Sequence, residues 1–280
     1  MPLALETLVT YIASGTGSTT FDAVTFNSNQ SATVRSYQPG TGAYLENVWA
    51  ATSAAPWLIS IKSPRMHDDV LGMEFALGAY TNTGSTVIFN PQELIPGEQR
   101  QYLYATDTLS ITGNATTGTN KLVAVMNVYY DDLGGVSSRL YSWNTIKPMI
   151  KNTAGFLCAV QASGTVGVFG TGVALNASSS RWKANTDYAI LGYSVSTPVA
   201  AVVINGVDVG NLYVGGPGLP NTALTGQFFV DQDRLYGTPH IPVINSLNVG
   251  GTFAYCADIT ASTSTNLVLH VAELNQRITG

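Results

Sequence analysis

The sequence has few charged residues. Asp, Glu, Lys and Arg together make up 10% of the 280 residues, whereas about a quarter is usual. Its 12 basic and 17 acidic residues contain no Lys- or Arg-rich run, which argues against direct binding of nucleic acid. Ser, Thr, Asn and Gly take the place of the missing charges. A surface so poor in charge suits burial in an assembly better than life as a free monomer.

Long apolar runs are also missing. No window approaches 18 uninterrupted apolar residues, so we expect no membrane-spanning helix. The first residues, MPLALETLVTYIASG, lack a basic region and carry Glu6 in their apolar stretch, so we expect no secretory signal. This segment is either a first strand or a short helix lying on a membrane or a partner. Its apolar residues are Leu3, Leu5, Leu8, Val9 and Ile12.

The motifs that announce common enzymes are absent. There is no Gly-x-Ser-x-Gly elbow, phosphate loop, dinucleotide fingerprint or Cys-x-x-Cys pair. His67 beside Asp68 and Asp69 could be half of a metal site or an acid–base pair, but no second cluster accompanies it, so a solvated turn is favoured. Asp231 and Asp233 in DQDRL lack the glycine and closing glutamate of a calcium loop. We therefore predict no enzyme and assign no catalytic, cofactor-binding or metal residues.

The remaining histidines and the two cysteines have structural interpretations. His240 lies between two prolines in GTPHIPVI, and we predict that it occupies a rigid loop or the start of a strand. Alternation in NLVLHVAEL places His270 on the side away from the core, facing solvent or an interface. Cys158 and Cys256 lie in apolar strands and are expected to be buried free thiols, although spacing alone leaves a disulfide open.

Strand signals fill most of the chain. Alternating or apolar segments such as PWLISIKS, KLVAVMNVYY, TVGVFGTGVAL and GQFFVDQ predict fourteen or more short strands. Glycine and proline punctuate them every 8–12 residues or so, which is typical of a sandwich or barrel. LYSWNTIKPMIKN is the best candidate for a helix. GVDVGNLYVGGPGLPNTALTG is predicted to be a long surface loop because it is rich in Gly and Pro.

Two stretches of the chain have near copies elsewhere. TNKLVAVMNV begins at Thr119 and TNLVLHVAEL at Thr265, 146 positions later (265 − 119). DDVLGMEFAL and DYAILGYSVS share an Asp, an apolar stretch and a Leu-Gly pair, and their leucines lie 120 positions apart (191 − 71). The pattern favours an internal duplication with about 26 extra residues in the second copy (146 − 120). Chance similarity between two β-rich halves is the alternative.

The Gly/Ser-rich stretch DDLGGVSSR is a credible connection between the copies. We predict a first β domain over residues 1–133, a linker over 134–139 and a second β domain over 140–280.

Together, the paired endings, the paired Leu-Gly strands and this linker resemble the double jelly-roll major capsid proteins of tailless icosahedral viruses, many of which enclose a membrane. The resemblance implies an all-β fold of two tandem jelly rolls and a homotrimer with a pseudo-hexagonal outline that tiles a shell. It also implies a virion location after synthesis in the host cytoplasm, and no cofactor. Partners would be other copies of the chain, penton, spike or minor capsid proteins, and an inner membrane reached through the N-terminus.

A virion spike or other surface β-sandwich that binds a carbohydrate or receptor is the main alternative. It predicts aromatic-lined loops, for which AYLENVW and NLYVGG are the candidates, whereas core or subunit packing is the commoner use of such residues. A β-sandwich hydrolase is a third alternative, because paired carboxylates for glycoside hydrolysis need no local motif.

Overall fold

A computed structural model of the chain describes residues 3–16, 20–21, 25–27, 30–52, 57–65, 73–77, 88–89, 101–115, 119–161, 163–178, 181–218, 225–258 and 265–278. Within these residues strands dominate and the helices are short, so the prediction of a mainly β protein is confirmed. No helix in the described ranges is both long and apolar enough to span a membrane.

The first half of the chain forms two antiparallel sheets. Its described strands are β1 (Ala4–Thr16), β2 (Thr20–Phe21), β3 (Thr25–Phe26), β4 (Ala43–Thr52), β5 (Trp57–Lys62), β6 (Met73–Leu77), β7 (Ile88–Phe89), β8 (Gln101–Leu103), β9 (Ser110–Ala115) and β10 (Thr119–Tyr130). One sheet has the order β3-β1-β10-β4-β7, with β8 also paired to β4. The other has the order β2-β9-β5-β6.

The second half also forms two antiparallel sheets. Its described strands are β11 (Leu140–Tyr141), β12 (Ile150–Val160), β13 (Val173–Ala174), β14 (Asp187–Val195), β15 (Ala201–Asn205), β16 (Val214–Pro217), β17 (Ile241–Asn245), β18 (Phe253–Ala257) and β19 (Thr265–Leu274). The five-stranded sheet has the order β11-β17-β14-β19-β12, and the four-stranded sheet has the order β13-β18-β15-β16.

Apart from β3, β8 and β11, the described strands of the two halves share one order. The path β1-β10-β4-β7 corresponds to β12-β19-β14-β17, and β2-β9-β5-β6 corresponds to β13-β18-β15-β16. Spacing along the chain agrees as well. The strands β4 and β10 begin 76 positions apart (119 − 43), and β14 and β19 begin 78 apart (265 − 187).

One pair of sequence landmarks was matched wrongly. DDVLGMEFAL contains β6, the end strand of a four-stranded sheet, whereas DYAILGYSVS is β14, an inner strand of the five-stranded sheet. The counterpart of β14 is β4, so the 26 extra residues expected in the second copy disappear. A Leu-Gly pair before an alternating strand is too common in β proteins to define a register.

The N-terminal segment is a strand and not a helix. β1 pairs with β10 over nearly its whole length, and Leu5, Leu8 and Val9 are buried within the molecule. These three side chains are therefore not available for the membrane contact predicted for this segment. Glu6, which interrupts the apolar run, is buried and is paired with the Arg35 guanidinium at 2.7 Å.

The helix predicted in LYSWNTIKPMIKN exists but is short. α1 spans Trp143–Ile146, and a 3₁₀ turn follows at Lys147–Met149. The Ser142 hydroxyl accepts a hydrogen bond from the Thr145 N–H and so caps the first turn. Pro148 lies in the turn that ends the helix, as expected of a residue with no N–H to donate.

A second helix was missed. α2 spans Phe228–Tyr236, where the apolar run of GQFFVDQ predicted a strand. Its buried residues, Phe228, Phe229, Val230, Gln232 and Asp233, lie at helical spacing on one side. Gly237 ends it in a left-handed conformation at φ +65°.

A loop and a strand predicted in the second half were also partly wrong. The Gly/Pro-rich segment after Asn205 contains β16, whose four residues are all buried, so it is not wholly a surface loop. TVGVFGTGVAL is largely irregular, and only Val173 and Ala174 pair as a strand. Glycine-rich sequence fails as a guide here because two of the buried strand residues of β16 are themselves glycines.

Both cysteines are free and buried, as predicted. Burial raises the pKa of the Cys158 thiol to about 11 and that of the Cys256 thiol to about 12. We therefore expect the folded protein to be inert to a thiol reagent such as Ellman's reagent at pH 8, because the thiolate is the reactive form. Titration of two thiols only after denaturation is the expected result, and rapid reaction of either in the native protein would contradict it.

Candidate functional site: the contact between the two halves

The most developed polar arrangement is buried where the halves meet. One face of the sheet formed by β1, β10 and β4 packs against β16 and α2 of the second half. Thr7, Asn127 and Asn47 lie side by side across the three strands, and none is more than 1% exposed. Three neighbouring strands thus present one polar row to the other half of the chain.

This polar row is bonded to the second half at both ends. Thr7 Oγ1 accepts a hydrogen bond from the Gly215 N–H at 2.8 Å, and the Thr7 N–H donates to the Tyr213 carbonyl at 2.6 Å. At the other end the Tyr236 hydroxyl donates to Asn47 Oδ1 at 2.7 Å, and Asn47 Nδ2 donates to Gln232. Buried polar groups must be paired, so these bonds fix how one half lies on the other.

Glu46 and His240 form a fully buried pair beside this row. His240 Nε2 lies 2.7 Å from Glu46 Oε2, and both side chains are 0% exposed. His240 Nδ1 lies 2.6 Å from the Thr238 carbonyl, which can only accept, so Nδ1 carries a proton. A second proton must then lie between Nε2 and the carboxyl group. The imidazole also stacks between Tyr129 and Tyr236, with ring centroids 5.1 and 5.4 Å away.

Packing contacts flank the polar groups on both sides. The Trp49 ring contacts Phe228 of α2, with centroids 5.5 Å apart. Asn27 Oδ1 accepts from the Phe169 N–H at 2.8 Å. Gly167, at φ +76°, packs so closely on Tyr11 that an added Cβ would lie 2.1 Å from the tyrosine Cβ. The contact is therefore continuous with the apolar cores, and one cluster of buried residues spans both halves.

Arg139, the last residue of the predicted linker, organises a second buried cluster. Its Nη2 lies 2.7 Å from Asp187 Oδ2 and donates to the Ile278 carbonyl at 2.9 Å, and its Nη1 lies 3.5 Å from Asp208 Oδ1. Asn245 Nδ2 donates to Asp187 Oδ1 at 2.6 Å. A cavity of about 320 Å³ opens beside these residues. The cluster ties the linker and the C-terminal residues to the second half.

The balance of effects on Asp187 gives this cluster a pH dependence. Burial alone would raise its carboxyl pKa, but hydrogen bonds from Arg139, the Ile278 N–H and Asn245 outweigh it, and the pKa lies below its ordinary value. A carboxyl group whose pKa is lower in the folded than in the unfolded protein stabilises the fold at pH values above its unfolded-state pKa of about 3.9. That stability is lost as the pH falls through the folded-state value.

Replacing Arg139 by methionine is expected to lower the free energy of unfolding by about 3 kcal/mol at pH 7, because Asp187 is left buried without its cation. Urea denaturation measures this loss, which should shrink below about pH 4, where the carboxyl group becomes protonated. The control is Arg234→Met, whose partner Asp231 is about half exposed, and which should cost under about 1 kcal/mol. Equal losses in the two variants would contradict this role for Arg139.

The remaining candidate residues do not converge on one site. His67, Asp68 and Asp69 lie outside the described residues. Asp231 and Asp233 lie on α2, where Asp231 pairs with Arg234 and Asp233 accepts from the Trp143 N–H. Nowhere in the described ranges do three His, Cys, Asp or Glu residues gather as a metal would require.

Two histidine predictions are confirmed, and one role was missed. His270 faces away from the core of its sheet, where it is hydrogen-bonded to Ser194 and lies 3.1 Å from the Gly226 carbonyl. His240 immediately precedes β17, as predicted. Its pairing with Glu46, 194 positions away, had no signal in the sequence, because nothing local marks two residues that meet only when the halves dock.

The tyrosine-rich segments serve packing. AYLENVW belongs to β4 and is mostly buried. In NLYVGG, Tyr213 stacks on Phe169 and contacts Tyr255, with centroids 5.2 and 5.6 Å apart.

Comparison of the sequence with protein-family models and with curated proteins gave no match.

Proposed function

We propose that the chain is a tandem pair of jelly rolls that acts as the major capsid protein of an icosahedral virus, three chains forming a pseudo-hexagonal capsomer. The observation that carries the proposal is the shared strand order. When β3, β8 and β11 are set aside, each half has eight strands, which lie in chain numbering as first-eighth-third-sixth in one sheet and second-seventh-fourth-fifth in the other. Two four-stranded antiparallel sheets with Greek-key connections are the jelly-roll arrangement used by viral capsid and lectin domains.

The contact between the halves supports a building-block role. The two units pack side by side through a buried, hydrogen-bonded face, so one chain already contains a lateral contact of the kind a shell needs. Three chains with two similar units each present six similar sides around one axis. The low content of charged residues, 10%, suits sides that become buried.

Light scattering on the purified chain, combined with negative-stain imaging, tests this function. We expect a mass of about three times 29.5 kDa and a six-sided outline with a threefold axis. An elongated, stalked particle would favour the alternative spike protein. A single-chain mass at every accessible concentration would refute the capsid proposal.

A further inference from the structure

The outer side of strand β12 in the second half is exposed where its counterpart in the first half, strand β1, is buried. In the first half, Thr7 and Val9 of β1 are 0% exposed beneath the second half. In the second half, β12 is the last strand of its sheet. Its outward residues Thr153 and Gly155 are exposed, and Leu157 is 42% exposed. Two equivalent faces therefore differ in whether anything covers them.

With Thr153 taken as the counterpart of Thr7, the strand registers align the two faces. The strands β10 and β19 align at an offset of 145 positions (272 − 127), and β1 and β12 at an offset of 146 (153 − 7). Three cross-strand pairs of the first half then have counterparts in the second half. Thr7–Asn127 corresponds to Thr153–Ala272, Val9–Val125 to Gly155–His270, and Tyr11–Val123 to Leu157–Val268.

In the first half this face holds an edge strand of the other half. Thr7 exchanges hydrogen bonds with the backbone of Gly215, which lies in β16, the end strand of its sheet. Tyr11 packs against Gly167. The equivalent residues of the second half are Thr153 and Leu157, so a hydroxyl and an apolar side chain recur at the same two places.

The exposed face has the chemistry of an interface. Its exposed outward residues are Thr153, Gly155, Leu157 and Ala159 of β12. On the neighbouring strands Ser194, Val268 and His270 are half-buried, and Ala272 is buried. None of them carries a fixed charge, and a depression of about 360 Å³ lies against Gly155 and His270. The bordering strand β12 is 11 residues long, and Lys151 near its start is its one charged residue. A long edge strand with little charge is a site where another chain can pair or pack.

We propose that this face binds the first half of a second copy of the chain, with the end strand β6 of that copy lying across Thr153 and a neighbouring part of the same half lying against Leu157. β6 is the occupant because it is the counterpart of β16 in the strand order. Each chain then has one such face and one such strand, so the contact is head-to-tail, and in the proposed trimer three such contacts form a closed ring. The inference rests on the proposed function and specifies which surfaces form its trimer.

The first test is Leu157→Arg, which places a charge on the proposed interface at a position exposed enough to leave folding intact. By light scattering we expect the wild type at a three-chain mass and the variant at a one-chain mass, with an unchanged far-ultraviolet circular dichroism spectrum. The matched control is Val207→Arg, 57% exposed and between β15 and β16, which should keep the three-chain mass.

The second test is a photo-crosslinking residue, benzoylphenylalanine, placed at Thr153. Mass spectrometry should find cross-links between chains to peptides that contain residues 73–77. A three-chain Leu157→Arg variant, or cross-links to other parts of the chain, would overturn this inference and leave the proposed function standing. A wild type that stays a single chain would overturn both.

Discussion

Replacing Glu46 by alanine is expected to lower the free energy of unfolding by about 3 kcal/mol, because a buried hydrogen-bonded pair then loses one partner. The variant leaves the His240 imidazole buried at 0% exposure, without the carboxylate that lies 2.7 Å from Nε2 in the wild type. Because the two residues belong to different halves, the loss also loosens the contact between them. Chemical denaturation followed by circular dichroism measures the change.

A double-mutant cycle separates this pairing from a general packing defect. Glu46→Leu and His240→Leu should each be strongly destabilising, while the double variant should recover much of the loss, because a buried pair can often be replaced by apolar residues. The surface control is Asp231→Ala, whose partnership with Arg234 is largely exposed and should matter by about 0.5 kcal/mol or less. Additive losses in the cycle would show that the two side chains do not interact.

Replacing Trp49 by alanine should cost about 3–5 kcal/mol, the range for truncating a buried tryptophan. Trp49 is 5% exposed and its ring contacts Phe228 of α2, so the cavity opens between the halves. We also expect calorimetry to show a broadened or split transition, because less contact then couples the unfolding of the two halves.

The comparison variant for Trp49 is Tyr104→Ala. Tyr104 is an aromatic residue of the first half that is 38% exposed and packs on Tyr102 and Arg65. It should cost under about 1 kcal/mol and leave a single transition. An equally small loss of unfolding free energy in Trp49→Ala would mean that the two halves do not pack through the contact between Trp49 and Phe228.

The sequence revealed the strands better than the site. Alternation in PWLISIKS predicted β5, and the Thr-Asn endings mark β10 and β19, which hold the same position in their sheets. These signals are local, since a strand's side chains alternate whatever it packs against. The Leu-Gly match failed because it used a pattern that many strands share.

Helix α2 and the contact between the halves depend on tertiary structure. The adjacent Phe228, Phe229 and Val230 predict a strand from propensity. A helix forms because these residues are buried, with Phe228 packed against Trp49 of the first half and Tyr193 of the second. Glu46 meets His240 across 194 positions, and Thr7 meets Gly215 across 208. No spacing rule reaches that far in a single sequence.

A three-dimensional reconstruction of the purified oligomer by electron cryomicroscopy tests the central claim most directly. We expect three chains whose six sandwiches surround one axis, each with the strand order seen here, and alternating contacts within and between chains built from equivalent faces. A particle whose chains meet through other surfaces, or a chain whose halves differ in strand order, would contradict the proposed duplication and shell assembly.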